Sequence, residues 1–249
     1  MATKTAAFTG SILNNTTNNN TGGSGISLDV LSMDGTISGN TAITNGADGI
    51  RIVAQQMGLA TGFSGEIDGN TTNSNALNGL NLIGLSSTFE SALRSNTAMS
   101  NTLSGIRFEG AVFQSNAESN VGSSNGLHGF ELLAQSFSGG LLQNTTEGNA
   151  LHGFKMTLSG SGPSLVNVIG NTVSENNVDA VTPSQFLLEN TGTGIAVVVL
   201  DGNTSTDVVM APAFNFDLQN TGTGSITATI VGPSADTGTV GLNGTQEFP

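Results

Sequence analysis

The stretch Ile37-Ser38-Gly39-Asn40-Thr41-Ala42-Ile43-Thr44-Asn45-Gly46-Ala47-Asp48-Gly49-Ile50-Arg51-Ile52 decides the fold, because its pattern recurs along most of the chain. With Asn40 as an anchor, equivalent steps stand at Asn15, Asn70, Asn96, Asn120, Asn144 and Asn171, and the successive spacings are 25, 30, 26, 24, 24 and 27 residues. Five residues after each anchor stands a second asparagine: Asn20, Asn45, Asn75, Asn101, Asn125, Asn149 and Asn176. A low-complexity tract would scatter these positions, whereas the offset holds in all seven copies. Glycine follows at Gly49, Gly79, Gly105, Gly129 and Gly153, comes one residue late at Gly25, and is replaced by Ala180 in the last copy.

Apolar residues keep the same beat. Ile26, Ile50, Leu80, Ile106, Phe130, Phe154 and Val181 follow the glycine position, and Leu28, Ile52, Leu82, Phe108, Leu132 and Met156 stand two further on, with Pro183 breaking the seventh copy. A period of two marks a short strand with alternate residues facing inward. Two more inward columns are expected, Ala47, Leu77, Leu103, Leu127, Leu151 and Val178 before the glycine, and Ile12, Ile37, Ile67, Leu93, Leu141 and Val168 before the anchors. A unit this small cannot bury its own apolar side, so the coils must stack, each strand pairing in parallel with its equivalent about 4.8 Å away. Stacked asparagines suit such an array, since the amide both donates and accepts and the residue tolerates left-handed backbone at tight bends.

The pattern Ile-x-x-Asn-x-x-x-x-Asn-x-x-x-Gly-Ile-x-Leu resembles the repeat of the right-handed parallel β-helix (pectin-lyase-like) superfamily over residues 12 to 183. The resemblance implies an all-β, right-handed parallel β-helix of about seven coils of 24–30 residues, with side loops carrying any specificity. It fixes function poorly, because that superfamily spans lyases, hydrolases, epimerases, adhesins and tailspikes. Lyases of the superfamily commonly carry an N-terminal capping helix, and no amphipathic helix is visible here.

The solenoid is expected over 1–185, with a C-terminal β-rich extension over 186–249. There, Phe186-Leu187-Leu188-Glu189-Asn190-Thr191-Gly192-Thr193-Gly194 returns 30 residues later as Phe216 to Gly224, each copy followed by an apolar or alternating run. Wider terminal coils and a small antiparallel unit both fit.

Composition agrees with a thin core and polar turns. Of 249 residues, 36% are hydrophobic and only 9% charged, against about 25% charged in ordinary globular proteins. With 18 acidic and 5 basic residues, the net charge of −13 offers no basic stripe for nucleic acid and is repelled by anionic membrane surfaces. There is no cysteine, so disulfides and thiolate metal sites are excluded. No stretch approaches the roughly 18 apolar residues of a membrane span, and Met1-Ala2-Thr3-Lys4 leads into polar sequence with no cleavable signal expected.

The repeat places the charged residues. Arg51, Asn81, Arg107, Glu131, Lys155 and Thr182 share one outward column, and Ser38, Asp68, Arg94, Glu118 and Leu142 share another. Arg94 is thus expected between Asp68 and Glu118, and Glu131 between Arg107 and Lys155, as register-fixing ion pairs on a solvated face. The same Asp68, Arg94 and Glu118 are the catalytic candidates, since carboxylates two coils apart stand about 9–10 Å from each other, near the upper limit for an inverting glycosidase. No catalytic role is assigned, because the intervening arginine would spoil a general acid and the chain lacks Trp and Tyr platforms. His128, His152 and Asp179 share a turn position and would suit a divalent metal if they converged. Exposed turn residues are the expectation, and no metal site is assigned. Asp-Gly turns at Asp34, Asp48, Asp68 and Asp201 leave room for calcium but match no calcium-loop spacing. The Asn-x-Thr/Ser triplets at Asn15, Asn70, Asn144 and Asn203 read as chance in an Asn/Thr-rich chain, since three are ladder asparagines.

The expected function is a structural or adhesive β-solenoid outside a microbial cell or on its surface, self-associating end to end into a homo-oligomer, fibre or layer. No cofactor is required. The alternative is a carbohydrate-active enzyme or tailspike-like depolymerase with a polysaccharide partner. Ice binding needs a flat Thr-x-Thr face, and only one threonine column (Thr16, Thr41, Thr71, Thr97, Thr145, Thr172) is present.

Overall fold

The structure, a computed structural model, describes residues 6–55, 61–176, 184–206, 214–231 and 240–243. Each coil contributes a short strand before its anchor asparagine, one after it and a longer one after the glycine, as in Thr36–Ser38, Thr41–Ile43 and Ile50–Ala54. Equivalent strands pair in parallel and in register: Ile37 with Ile67, Thr41 with Thr71, Ile50 with Leu80. The result is a parallel β-solenoid of about seven asparagine-bearing turns with further C-terminal strands. The strands after the anchors form one eight-stranded sheet. The other two faces merge, because Phe130–Leu142 turns a corner and pairs with Phe154–Leu158 on one side and Ser164–Ile169 on the other.

Strand length sets what each face buries. The strand before each anchor turns inward the residue three before the asparagine, so Ile37, Ile67, Leu93, Ala117, Leu141 and Val168 form one fully buried column. A five-residue strand turns in alternate residues, such as Ile50, Ile52 and Ala54. A further column stands seven residues before the anchor: Phe8, Met33, Phe63, Phe89, Phe113 and Phe137. Its ring centroids lie 5.1, 5.0 and 4.7 Å apart from Phe63 to Phe137, the first pair tilted and the other two stacked, within the range where aromatic contact adds to burial. Variation in coil length therefore falls between the glycine-led strand and this column. A register shift between Gly84 and Thr88 lies in that interval.

Two expectations about the columns need correction. Ala47, Leu77, Leu103, Leu127 and Leu151 do not face inward; all are partly or largely exposed, Leu77 at 41%. The residues that follow them, Asp48, Asn78, Ser104, His128 and His152, are buried instead. The chain turns sharply here, so strand alternation does not extend back past the glycine. In the seventh copy, Phe154 pairs with Phe186 and Met156 with Leu188, which take the places expected for Val181 and Pro183. Val178, Asp179, Ala180, Val181, Thr182 and Pro183 lie outside the described residues.

The repeated segments beyond 184 stack in the same direction. Ser184–Asn190 pairs in parallel with Phe154–Leu158 and with Phe214–Asn220, while Ile195–Asp201 pairs with Ser164–Ile169 and with Ser225–Val231. These strands are seven residues long.

Candidate functional site: polar columns and charged faces

The two asparagine columns are hydrogen-bonded ladders with a fixed polarity. Each anchor donates its backbone N–H and its Nδ2 to the Oδ1 of the next: Asn96 donates both to Asn120 at 2.9 and 3.0 Å, and Asn120 both to Asn144 at 2.9 and 3.0 Å. The second Nδ2 proton reaches back to the carbonyl three residues before the preceding anchor, as from Asn120 to Leu93 at 3.0 Å. The second ladder repeats this, with Asn125 donating to Asn149 and back to Ala98. From Asn40 to Asn176 every ladder residue is at most 2% exposed, so each bond is made away from competing water.

The left-handed backbone lies beside these asparagines and not on them. Gly39, Gly69, Ser95, Ser119, Gln143 and Gly170 precede first-ladder residues, and Thr44, Ser74, Ser100, Ser124, Gly148 and Glu175 precede second-ladder residues, all at φ between 52° and 65°. A β-branched Thr44 at φ 57° is costly in isolation. The bend is held by the amide that follows it.

Both ladders run further than the seven copies. Asn171 donates its N–H and Nδ2 to Asn203, whose Nδ2 reaches Val168. Asn176 donates to Gln185 Oε1, and the Gln185 amide returns a bond to the Asn176 carbonyl. Gly202-Asn203-Thr204 repeats Gly39-Asn40-Thr41, so Asn203 carried a readable signal, displaced by a longer coil. Gln185 carried none, since its longer side chain substitutes for an asparagine at a new offset. Asn70, Asn144 and Asn203 are fully buried, unlike Asn15, so three of the four glycosylation triplets are inaccessible in the fold.

A third polar column was not anticipated. Asp48 Oδ1 accepts from Asn78 N and Nδ2, Asp48 Oδ2 accepts from Asn81, and Asn78 Oδ1 accepts from Ser104 N. The column continues into the histidines, which are buried at 4% and 3% exposure, contrary to the exposed turn expected. Their rings stack at 5.3 Å and 6°. His128 Nδ1 accepts the His152 backbone N–H at 3.3 Å, while His152 Nδ1 lies 2.9 Å from the Ser184 carbonyl. Desolvation, then repulsion from His152 and Lys155, lowers the His128 pKa from 6.5 to about 3. Desolvation also lowers that of His152, and its bond to the Ser184 carbonyl opposes the shift. Both rings are neutral at neutral pH. Among the described residues no cluster of three or more His, Asp or Glu side chains could hold a metal ion, and Asp179 is not among them.

The charged faces keep the expected register and part of the expected pairing, Arg94 with Asp68 and Arg107 with Glu131, with Glu66 and Glu109 as added partners. Asp68, Arg94 and Glu118 are adjacent in register, yet Arg94 pairs with Glu66 and, at 3.5 Å, with Asp68, and not with Glu118. Glu66 sits two residues before Asp68 on the same outward face, and together they draw the flexible guanidinium to one side. Arg107 bonds Glu109 at 2.6 Å and Glu131 at 3.5 Å, and donates to Asn81 Oδ1 at 3.3 Å. Lys155 follows Glu131 in register. Beside Glu109 a notch of about 240 Å³ opens between Gly84, Ser86, Gly110 and Gln135. The four Asp-Gly aspartates do not converge: Asp34 accepts from Ser32 and Ser64, Asp48 is engaged by asparagines, Asp68 by Arg94, and Asp201 lies on a C-terminal strand. Chemically, the faces neutralise charge between coils, and the interior columns transmit hydrogen bonds along the axis. No helix of the described residues is long and apolar enough to cross a membrane. Comparison with protein-family models, with curated proteins and with solved structures finds no match to this chain.

Proposed function

We propose that this protein is a structural or adhesive β-solenoid of an extracellular or cell-surface assembly, which extends by end-to-end association. The polarity of the ladders carries the reading. Each amide oxygen accepts from the coil before it, so the first described coil leaves the Oδ1 atoms of Asn15 and Asn20 without a donor, and both residues are exposed. Phe8, Ile12, Leu28 and Val30 beside them are only partly buried. An edge of this kind favours addition of another β-strand layer, here a second copy. Electron microscopy of concentrated protein across a range of salt tests this. Rods longer than one solenoid are expected; strictly monomeric particles at every condition contradict it.

A second reading, a carbohydrate-active or tailspike-like protein, rests on the notch beside Glu109, which Ser86 and Gln135 also line. Incubation with acidic and neutral polysaccharides distinguishes the two. Product formation lost in Glu109→Gln supports the enzyme.

A further inference from the structure

We infer that the His128–His152 stack is an acid-labile joint, at which the solenoid opens between the coil that carries His128 and the coil that carries His152. The geometry fixes the proton on each ring through its partner. His128 Nδ1 is an acceptor, since the His152 backbone N–H points at it; His152 Nδ1 is a donor, since it faces the Ser184 carbonyl. A proton added to His128 Nδ1 would set two donors against each other and break a bond between coils. A second charge on His152 would lie one ring-stacking distance away, 5.3 Å, in a site closed to water.

The surrounding charges do not rescue the protonated rings equally. Lys155, on the strand that follows His152, repels both, while Glu189 and Asp217, on Ser184–Asn190 and Phe214–Asn220, favour a charged His152 only. Glu131, on the strand after His128, is held by the Ser104 hydroxyl and Arg107. The Ser184 hydroxyl oxygen also lies 3.1 Å from His152 Nδ1 and accepts from the same N–H, so the ring faces the first C-terminal coil at two oxygens. This is also where the second ladder changes from asparagine to Gln185.

The sign follows from linkage. The folded rings stay neutral below the ordinary histidine value of 6.5, whereas the unfolded or opened rings bind protons. Stability is therefore complete above about pH 6.5 and falls as pH drops, by up to about tenfold in the opening constant per ring per pH unit. The decisive comparison is wild type against a His128→Asn/His152→Asn variant, because Asn78 occupies the same turn two coils before His128. Denaturant titrations at pH 7.5 and 5.0 are expected to show wild type losing on the order of 30-fold relative to the variant through His128, with a further loss in the same direction through His152. Hydrogen exchange at pH 5.0, corrected for intrinsic rate, is expected to rise at Gly129, Phe130, Leu151 and Gly153 before it rises at Gly79, Leu80, Gly105 and Ile106. If the variant does not fold, proton NMR of the wild-type rings decides. Rings that stay neutral until the joint opens support the inference. Equal pH slopes in variant and wild type, or ring signals titrating near 6.5 in an intact fold, overturn it.

Discussion

Asparagine does different work in the two parts of the solenoid. In the regular coils, Asn40 to Asn176, it bonds across coils, each amide joining the one before to the one after. In the C-terminal coils, where Asn203 still ends the first ladder, Asn190 and Asn220 bond chiefly within their own turns, donating to the carbonyls of Gly194 and Gly224 at 3.0 and 2.7 Å, and Asn190 adds a longer bond to the Ser225 carbonyl at 3.3 Å. Strand length explains the change. Three-residue strands bury one side chain each and pair over only a few residues, so register needs a side chain to hold it. The seven-residue Ile195–Asp201 turns Ala196, Val198 and Leu200 inward and fixes register through its own backbone. What remains to be held there is the turn, where Gly192 and Gly194 lie so close to the carbonyls of Gly160 and Gly162 that no Cβ fits.

The largest effect expected is from Asn120→Asp. The acceptor survives, but the Nδ2 that faces Leu93 O and Asn144 Oδ1 becomes a buried anionic oxygen, at a cost of about 4 kcal/mol in urea titration at neutral pH. Asn190→Ala removes the bond within its turn and the longer one to Ser225, and costs about 1–2 kcal/mol in the same titration. If it costs as much as Asn120→Asp, the distinction between the two regions fails. Thr44→Gly relieves a left-handed β-branched residue at φ 57° and should raise stability by about 1 kcal/mol, which thermal melting detects. Arg94→Ala, on the half-exposed outer face, should change stability by less than about 1 kcal/mol, an effect that shrinks further in high salt.

The ladders were legible because hydrogen bonding between stacked amides demands one residue type at one offset, and Asn15 to Asn176 meet it. The aromatic column was equally regular, at seven residues before the anchor in Phe63, Phe89, Phe113 and Phe137, but counting forward from the glycine hides it behind coils of unequal length. Leu77 and Asn78 show the opposite limit. Hydrophobicity alone puts the leucine inside, yet the sharp turn points it out and buries the amide, which Asp48 satisfies. The histidines were placed on one turn by their spacing, but burial and tautomer depend on Ser184, which follows a segment whose offset breaks the repeat. Ion-pair partners were least readable, since a flexible guanidinium chooses among neighbours by fractions of an ångström.

The central claim is that amide bonds between coils hold the regular solenoid together, and native-state hydrogen exchange of the ladder residues tests it most directly. The backbone N–H groups of Asn96, Asn101, Asn120 and Asn125, each donated to a buried Oδ1, are expected to exchange only through global unfolding. Exchange of these four at the rate of exposed turns, in a protein that remains folded, would contradict the account.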